Sequence, residues 1–270
     1  MSRGLGDVYK RQLREGVNVI YVKKAGNVYL NYFADDVETA PEITIHFVTG
    51  KANGYFDAEK QTNEEWNRLL DNAVSPIMDV KTKYMQLAYP VEFFKKWNYG
   101  KGKELAEAYD KIMWQQYTFN GALKYKRVPD KRILARVNFN YFMFRDGDGV
   151  AFLGNDGTMK SALGSNIYSD WGVNHEIGHV MQMRPQLTWG GMTEVSNNLF
   201  TMYVATQAGM PSRLSKSKNY ERAFANVLDA AEKPFIMCVK DPFEKLVPFW
   251  QIYLYAKEKG YADFYADLME

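Results

Sequence analysis

Two histidines four residues apart, with a glutamate beside the first, are the residues of this 270-residue sequence best suited to chemistry: His175-Glu176-Ile177-Gly178-His179. On a helix, side chains at i and i+4 leave the same face one turn apart, so both imidazoles open onto one space. Neutral imidazole is a good ligand for Zn²⁺, and a pair at this spacing fills two corners of a tetrahedral site. A carboxylate next to the first ligand can reach a metal-bound water without entering the coordination sphere, which is where a general base belongs. The sequence holds three histidines, and a His-Glu-x-x-His string would arise by chance in about two of a thousand such chains. The plain alternative is two histidines on the surface of an amphipathic helix.

The surrounding residues predict the helix that must position them. Ser169 and Asp170 are good N-caps, and Val173, Ile177, Val180 and Met181 form an apolar stripe at i, i+4, i+7 and i+8. The histidines lie off that stripe, free to face a cleft. Pro185 ends the pattern, which predicts a helix over about residues 170–183. Gly178 inside it costs about 1 kcal/mol against Ala, so another segment is expected to pack closely there. A catalytic zinc wants a third protein ligand. A nearby third His, as in metzincins, fails because those positions hold Gln182 and Pro185. Glu194 is the other candidate, in the first turn of a helix capped by Thr193 and carrying Val195, Leu199, Phe200, Met202 and Tyr203. Fourteen residues separate it from His179, enough for a turn that sets two helices face to face. A carboxylate merely answering the helix dipole is the competing reading.

The stretch Trp171-Gly172-x-x-His175-Glu176-Ile177-Gly178-His179-x-x-Gln182, followed by Gly191-Met192-x-Glu194-Val195-x-Asn197-Asn198, resembles the enhancin-type, mucin-active metallopeptidases of family M60, which are gluzincins. The close likeness covers about thirty residues, and a weaker likeness of order runs back to about Gly16. The resemblance implies His175, His179 and Glu194 as ligands of one zinc per chain and Glu176 as general base. Better-known gluzincins hold a metal-bound His with an Asp four residues after the ligand Glu. Here that position is Asn198, whose amide oxygen can accept an imidazole N–H. No His follows His179, so an oxyanion-stabilising group of the usual kind would have to be a Tyr. The implied fold is α+β and zincin-like, in two lobes: a sheet-containing part (13–184) ending in the zinc helix, and a helical part (185–270). By the same resemblance the parent protein is secreted or at the cell surface.

Composition is that of a globular chain, 46% hydrophobic and 24% charged with net charge +2, which gives no reason to expect nucleic acid as partner. No apolar run reaches membrane-spanning length. Cys238 is the only cysteine and reads as a buried small hydrophobe. Residues 1–12 lack an apolar signal-peptide core and read as a non-native leader, so a catalytic domain over 13–270, truncated at both ends, is expected. Strands are predicted at Val17–Val22, Val28–Phe33, Ile43–Val48, Ile133–Phe144 and Val150–Leu153, with His46 structural on the second-face side of its strand. Asp146-Gly147-Asp148-Gly149 reads as a hairpin turn rather than a calcium loop. Helices are predicted over 62–72 with Thr62 or Asn63 as cap, 103–118, 220–231 and 242–259.

Zincin-like sites bind an extended substrate on an edge strand, and Val150, Ala151 and Phe152 are the candidates. Trp189 between the ligands could stack on a sugar, with Gly190 and Gly191 keeping that loop free of bulk. These residues point to a zinc endopeptidase with a Glu-activated water, and the resemblance implies O-glycosylated, mucin-like proteins as its substrates. A zinc aminopeptidase would want a Gly-x-Met-x-Asn-type string upstream; the nearest, Gly190-Gly191-Met192-Thr193-Glu194, overlaps the ligand. A general zinc endopeptidase and a non-catalytic glycan-binding module are the remaining readings, and the module has no use for Glu176. Oligomeric state is not readable.

Overall fold

The computed structural model of the protein describes residues 11–22, 26–30, 32, 34–36, 38–183, 186–229, 231 and 241–270. Its strands are β1 (Phe56–Asp57), β2 (Ile77–Lys81), β3 (Met85–Pro90), β4 (Ile133–Asn138), β5 (Met143–Asp146) and β6 (Gly149–Leu153). They make one six-stranded sheet in the order β1-β2-β3-β4-β6-β5. β2 pairs antiparallel with β3 and β5 with β6, while the other neighbours run parallel. The register sets Val80 opposite Leu87, Leu87 opposite Ala135 and Ala135 opposite Val150, all buried.

Local chemistry explains the turns. The β2–β3 turn is held by Asp110, which accepts from the Thr82 hydroxyl (2.6 Å) and from the amides of Lys83 (3.1 Å) and Tyr84 (3.0 Å). The β5–β6 hairpin turns on Gly147 at φ +62°, where a side chain would be strained. A Cβ on Gly149 would sit 2.4 Å from the Leu134 carbonyl, so only glycine lets β6 begin that close to β4.

The helices are α1 (Asn63–Asp71), α2 (Val91–Asn98), α3 (Gly102–Phe119), α4 (Asp156–Leu163), α5 (Trp171–Met181), α6 (Thr193–Gln207), α7 (Arg213–Lys216), α8 (Asn219–Ala223), α9 (Pro242–Glu258) and α10 (Phe264–Met269). Thr62 and Glu65 form a reciprocal capping box on α1, as its sequence predicts. α3 buries Leu105, Tyr109, Ile112, Met113 and Tyr117, each contributing roughly 1.5–3 kcal/mol by leaving water. From its far end the Gln116 amide donates to the Asn174 carbonyl of α5 (3.0 Å). Phe119 lies with its ring 5.1–5.9 Å from those of Phe200, Tyr203, Tyr253 and Tyr265, joining α3 to α6, α9 and α10.

Several expectations change. The stretches 17–22 and 43–48 form no strand; they are exposed, Val17 at 94%, and His46 is exposed with them. Within 28–33, the described residues are also outside any strand, and Asn31 and Phe33 lie outside the described residues. Alternating apolar residues specify a strand only where a sheet edge and a covering layer receive them; among the described residues these stretches form no ladder, and 28–33 touches β2 through a side chain, Tyr29 donating its hydroxyl to Asp79 Oδ2 (2.7 Å). The single strand expected over Ile133–Phe144 is two, because Asn138 Oδ1 accepts from the amides of Asn140 (3.0 Å) and Tyr141 (2.8 Å) and turns the chain. The 220–231 helix is α8 followed by a wider turn over Phe224–Leu228. Residues 1–10, Pro185 and Cys238 lie outside the described residues.

Candidate metal centre

α5 starts where its cap residue predicts, with Asp170 Oδ1 accepting from the amide of Val173 (3.0 Å). α6 crosses it at Gly178, where a Cβ would lie 2.6 Å from the carbonyl oxygen of Asn197. The glycine therefore admits the α6 backbone directly onto the face of α5 that carries the histidines, the close packing its cost implies. Thr193 is the first residue of α6 and not its cap; Met192 holds that place and makes no side-chain bond to the helix end.

This crossing gathers His175, His179 and Glu194, whose donor atoms all lie within 4.8 Å of one another. Glu194 Oε2 is 3.2 Å from His175 Nε2 and 3.3 Å from His179 Nε2. Donors bound to one tetrahedral ion at about 2.0–2.1 Å stand about 3.3–3.4 Å apart, so the carboxylate oxygen stands from each imidazole nitrogen at the separation that sharing one zinc-sized ion requires. His179 is buried, His175 half-buried, and Glu194 is more open to solvent. Bonds to His175 and His179 hold the Glu194 carboxyl well below the usual carboxylate range, so this third donor is ionised.

The ring orientations follow from two amides. Asn198 Nδ2 donates to the Glu194 carbonyl (2.8 Å), which can only accept, so its Oδ1 is the atom facing His175 Nδ1 at 2.8 Å. Gln182 Nε2 likewise donates to the Thr193 carbonyl (2.7 Å) and to Ser196 Oγ (2.7 Å), leaving its Oε1 against His179 Nδ1 at 3.0 Å. An amide oxygen accepts, so each imidazole donates from Nδ1 to its amide and presents Nε2 to Glu194. Each ring thus points at Glu194 the nitrogen whose lone pair a metal would take once its proton is lost. Asn197 lies against both rings, its Nδ2 at 3.0 Å from His179 Nε2 and at 3.1 and 3.2 Å from Nδ1 and Nε2 of His175.

Glu176 neighbours this cluster and is buried; burial pushes its carboxyl above the usual range, against the opposing pull of His175 and His179. Of the other sequence candidates, Trp189 is exposed with its ring 6.0 Å from that of Phe249, and a Cβ on Gly190 would meet nothing within 4 Å. Val150, Ala151 and Phe152 are not at an edge. They are fully buried in β6, bonded on one side to β4 and on the other to β5. The sheet edge beside α5 is β5, and Met143 there comes so close that a Cβ on Gly172 would lie 2.8 Å from its sulfur. Sequence reasoning assigned no role to Gln182, although a carboxamide three residues past the second His was the signal available.

A six-stranded mixed sheet covered by helices, with a His-His-Glu cluster on two crossed helices, defines a metallopeptidase-type catalytic fold. The chain belongs to the family Peptidase M60, enhancin and enhancin-like, whose model matches residues 51–269. A functionally unknown conserved protein from Bacillus anthracis str. Ames is similar in structure, with TM-score 0.66 and 26% identity over 74% of this chain and 42% of its own. A metallopeptidase from Bacteroides thetaiotaomicron gives TM-score 0.66 at 19% identity over 82% of this chain and 39% of its own. The M60 catalytic domain of ZmpC from Clostridium perfringens, solved in complex with the sialyl T antigen, gives 0.62 at 19% over 80% and 45%. The chain thus spans less than half the length of each of these. No curated protein sequence matches it. No helix among the described residues is long and apolar enough to cross a membrane.

Proposed function

We propose that this chain is the catalytic domain, over residues 13–270, of a secreted or cell-surface zinc endopeptidase that cuts O-glycosylated, mucin-like proteins. The observation that carries the reading is the donor set: two imidazoles oriented by amides and an ionised carboxylate 3.2 and 3.3 Å from their Nε2 atoms, with a buried carboxylate alongside. His175, His179 and Glu194 would hold one zinc, which when bound supplies Lewis-acid polarisation of the scissile carbonyl and acidifies a water. Glu176 takes the proton of the attacking water on its carboxylate and delivers it to the leaving amine. Burial suits it to that exchange, since a carboxyl raised above its usual range is a stronger base for the water's proton. Asn198 and Gln182 keep the rings from turning, and β5 replaces the Val150–Phe152 strand as the edge on which an extended substrate pairs.

The glycoprotein part of the proposal is supported by the ZmpC neighbour's complex with sialyl T antigen and by the open loop at Trp189, Gly190 and Gly191. A flat exposed indole offers a sugar an apolar face, and sugar contacts kept in the transition state raise kcat/KM. The test compares one peptide with and without a single O-linked GalNAc, mapping the cut by mass. The glycosylated form should be cut roughly 100-fold faster, the equivalent of a few kcal/mol of sugar contact. Glu176→Gln should keep its zinc and lose most activity. Faster cleavage of the bare peptide would leave a general zinc endopeptidase, and full activity in Glu176→Gln would remove the base.

A further inference from the structure

One cation near the metal helix is anchored yet unspent. The guanidinium carbon of Arg213 lies 4.5 Å from the ring centroid of Trp171 and 4.5 Å from that of Phe243. The two rings are 5.7 Å apart, so the guanidinium caps the notch between them. Contact of this kind uses the charge and the π face and leaves the in-plane N–H fork available. Among the described residues no hydrogen bond or ion pair engages that fork. Asp241, whose charge acts on Arg213, has its oxygens taken by Arg222 (3.0 Å) and by the Phe243 amide (2.8 Å). The contrast with Arg222 is direct: its donors go to Glu244 (2.8 Å), Asp241 and the Ser217 carbonyl (3.2 Å).

Position gives the fork a use. Trp171 precedes His175 by four residues and shares its face of α5, so the clamp lies about 6 Å along the axis from the first histidine. Trp171, Gly172 and His175 are also the part-exposed residues of that half of the helix, and β5 borders them at Gly172. A substrate extended along this surface advances about 3.3 Å per residue, so a side group about two residues from the scissile bond comes within reach of Arg213. The acceptor matched to a planar fork of donors is a carboxylate, held by paired charge-assisted bonds.

We propose that Arg213 is a carboxylate-binding subsite that selects substrates carrying an acidic group about two residues from the cut bond; its placement relative to the cut rests on the peptidase reading above. The carboxylate can belong to an acidic side chain or to an acidic sugar on a neighbouring residue. The experiment uses matched substrate pairs: Glu against Gln at each of the three positions either side of the cut, and one glycopeptide with and without its acidic sugar. For each pair, kcat, KM and equilibrium binding by calorimetry are measured with the parent protein, Arg213→Gln and Arg213→Lys.

The parent should prefer the acidic member of at least one pair by about tenfold, chiefly in KM and in binding, and less so at high salt. In Arg213→Gln that ratio should fall to about one, and Arg213→Lys, which keeps the charge without the fork, should fall between. The pair that responds identifies the source of the carboxylate. A ratio near one for every pair in the parent overturns the proposal, as does a ratio undiminished in Arg213→Gln. Preferential binding of acidic members without any cleavage would instead remove the peptidase reading while leaving the subsite standing.

Discussion

Replacing Gly178 by alanine sets two known effects against each other at the point where the site is built. In an exposed helix interior Gly→Ala stabilises by about 1 kcal/mol. Here the new methyl would lie 2.6 Å from the Asn197 carbonyl oxygen, 3.3 Å from its carbon and 3.5 Å from its Cα, all backbone atoms of α6. Ordinary contact begins near 3.4 Å, so the two helices must separate locally by about 0.8 Å. Overpacking of that kind costs about 1–3 kcal/mol, which makes the net change a loss of about 1 kcal/mol. In a chain of this size that lowers Tm by about 2–4 °C. The larger effect should be on metal. Glu194 and Asn198 ride on the same helix as Asn197, and metal–ligand distances tolerate only about 0.2 Å. Zinc affinity should therefore fall at least tenfold, a size typical of losing an orienting partner. Thermal melting of the metal-free protein and competition against a chelator measure the two separately. A Gly178→Ala protein that melts higher and binds zinc as tightly as the parent would refute the argument that this glycine exists for helix approach.

Three further outcomes follow from the same geometry. Glu194→Ala should sharply lower zinc content after dialysis, and unchanged occupancy would strike Glu194 from the ligand set. Asn198→Leu and Gln182→Leu should each weaken zinc roughly 10- to 100-fold, because each frees one imidazole to flip; equal chelator resistance in either variant would reduce that amide to packing. Asp57 is held below the usual carboxylate range chiefly by its bond to Lys81 (2.8 Å). A lowered folded-state pKa contributes stability that is complete above the unfolded value, about 4, and is lost as pH falls through the folded one. Asp57→Asn should therefore be less stable than the parent at neutral pH, the gap closing in acid; a gap that widens there would contradict the assignment.

What the sequence could tell depended on how local each determinant is. The Asp170 cap, the Val173–Ile177 stripe and the cost of Gly178 are properties of one helix, and α5 lies where they put it. The capping box at Thr62 and the Asp-Gly-Asp-Gly turn are equally local. The place of β6 in the sheet is not. Val150 to Leu153 reads the same whether it ends a sheet or lies inside one, and only the return of Met143–Asp146 along it decides. The strands expected before residue 50 are absent among the described residues for the same reason, since their alternation cannot say whether a sheet will receive them. β2 and β3 left no clear alternation to read, being buried on both faces, as Met78, Asp79 and Val80 show in succession.

Gln182 shows a third kind of hidden determinant. Nothing in its local sequence says that its amide will be fixed by the Thr193 carbonyl, because that carbonyl arrives only when α6 docks. The Glu194 carbonyl fixes Asn198 within α6 itself, and the same docking brings Asn198 to His175 and the Glu194 carboxylate to both histidines. One turn of α6 thus supplies a donor for the metal and the two carbonyls that fix the amides orienting the rings. The helix start is where backbone carbonyls are committed within the helix yet each keeps a second lone pair, and those spare lone pairs do the orienting. Ring orientation, donor separation and helix packing then depend on the same docking, so the site cannot be half assembled. Either α6 is seated against Gly178 and all three donors face one point, or it is not and the histidines are two ordinary surface side chains.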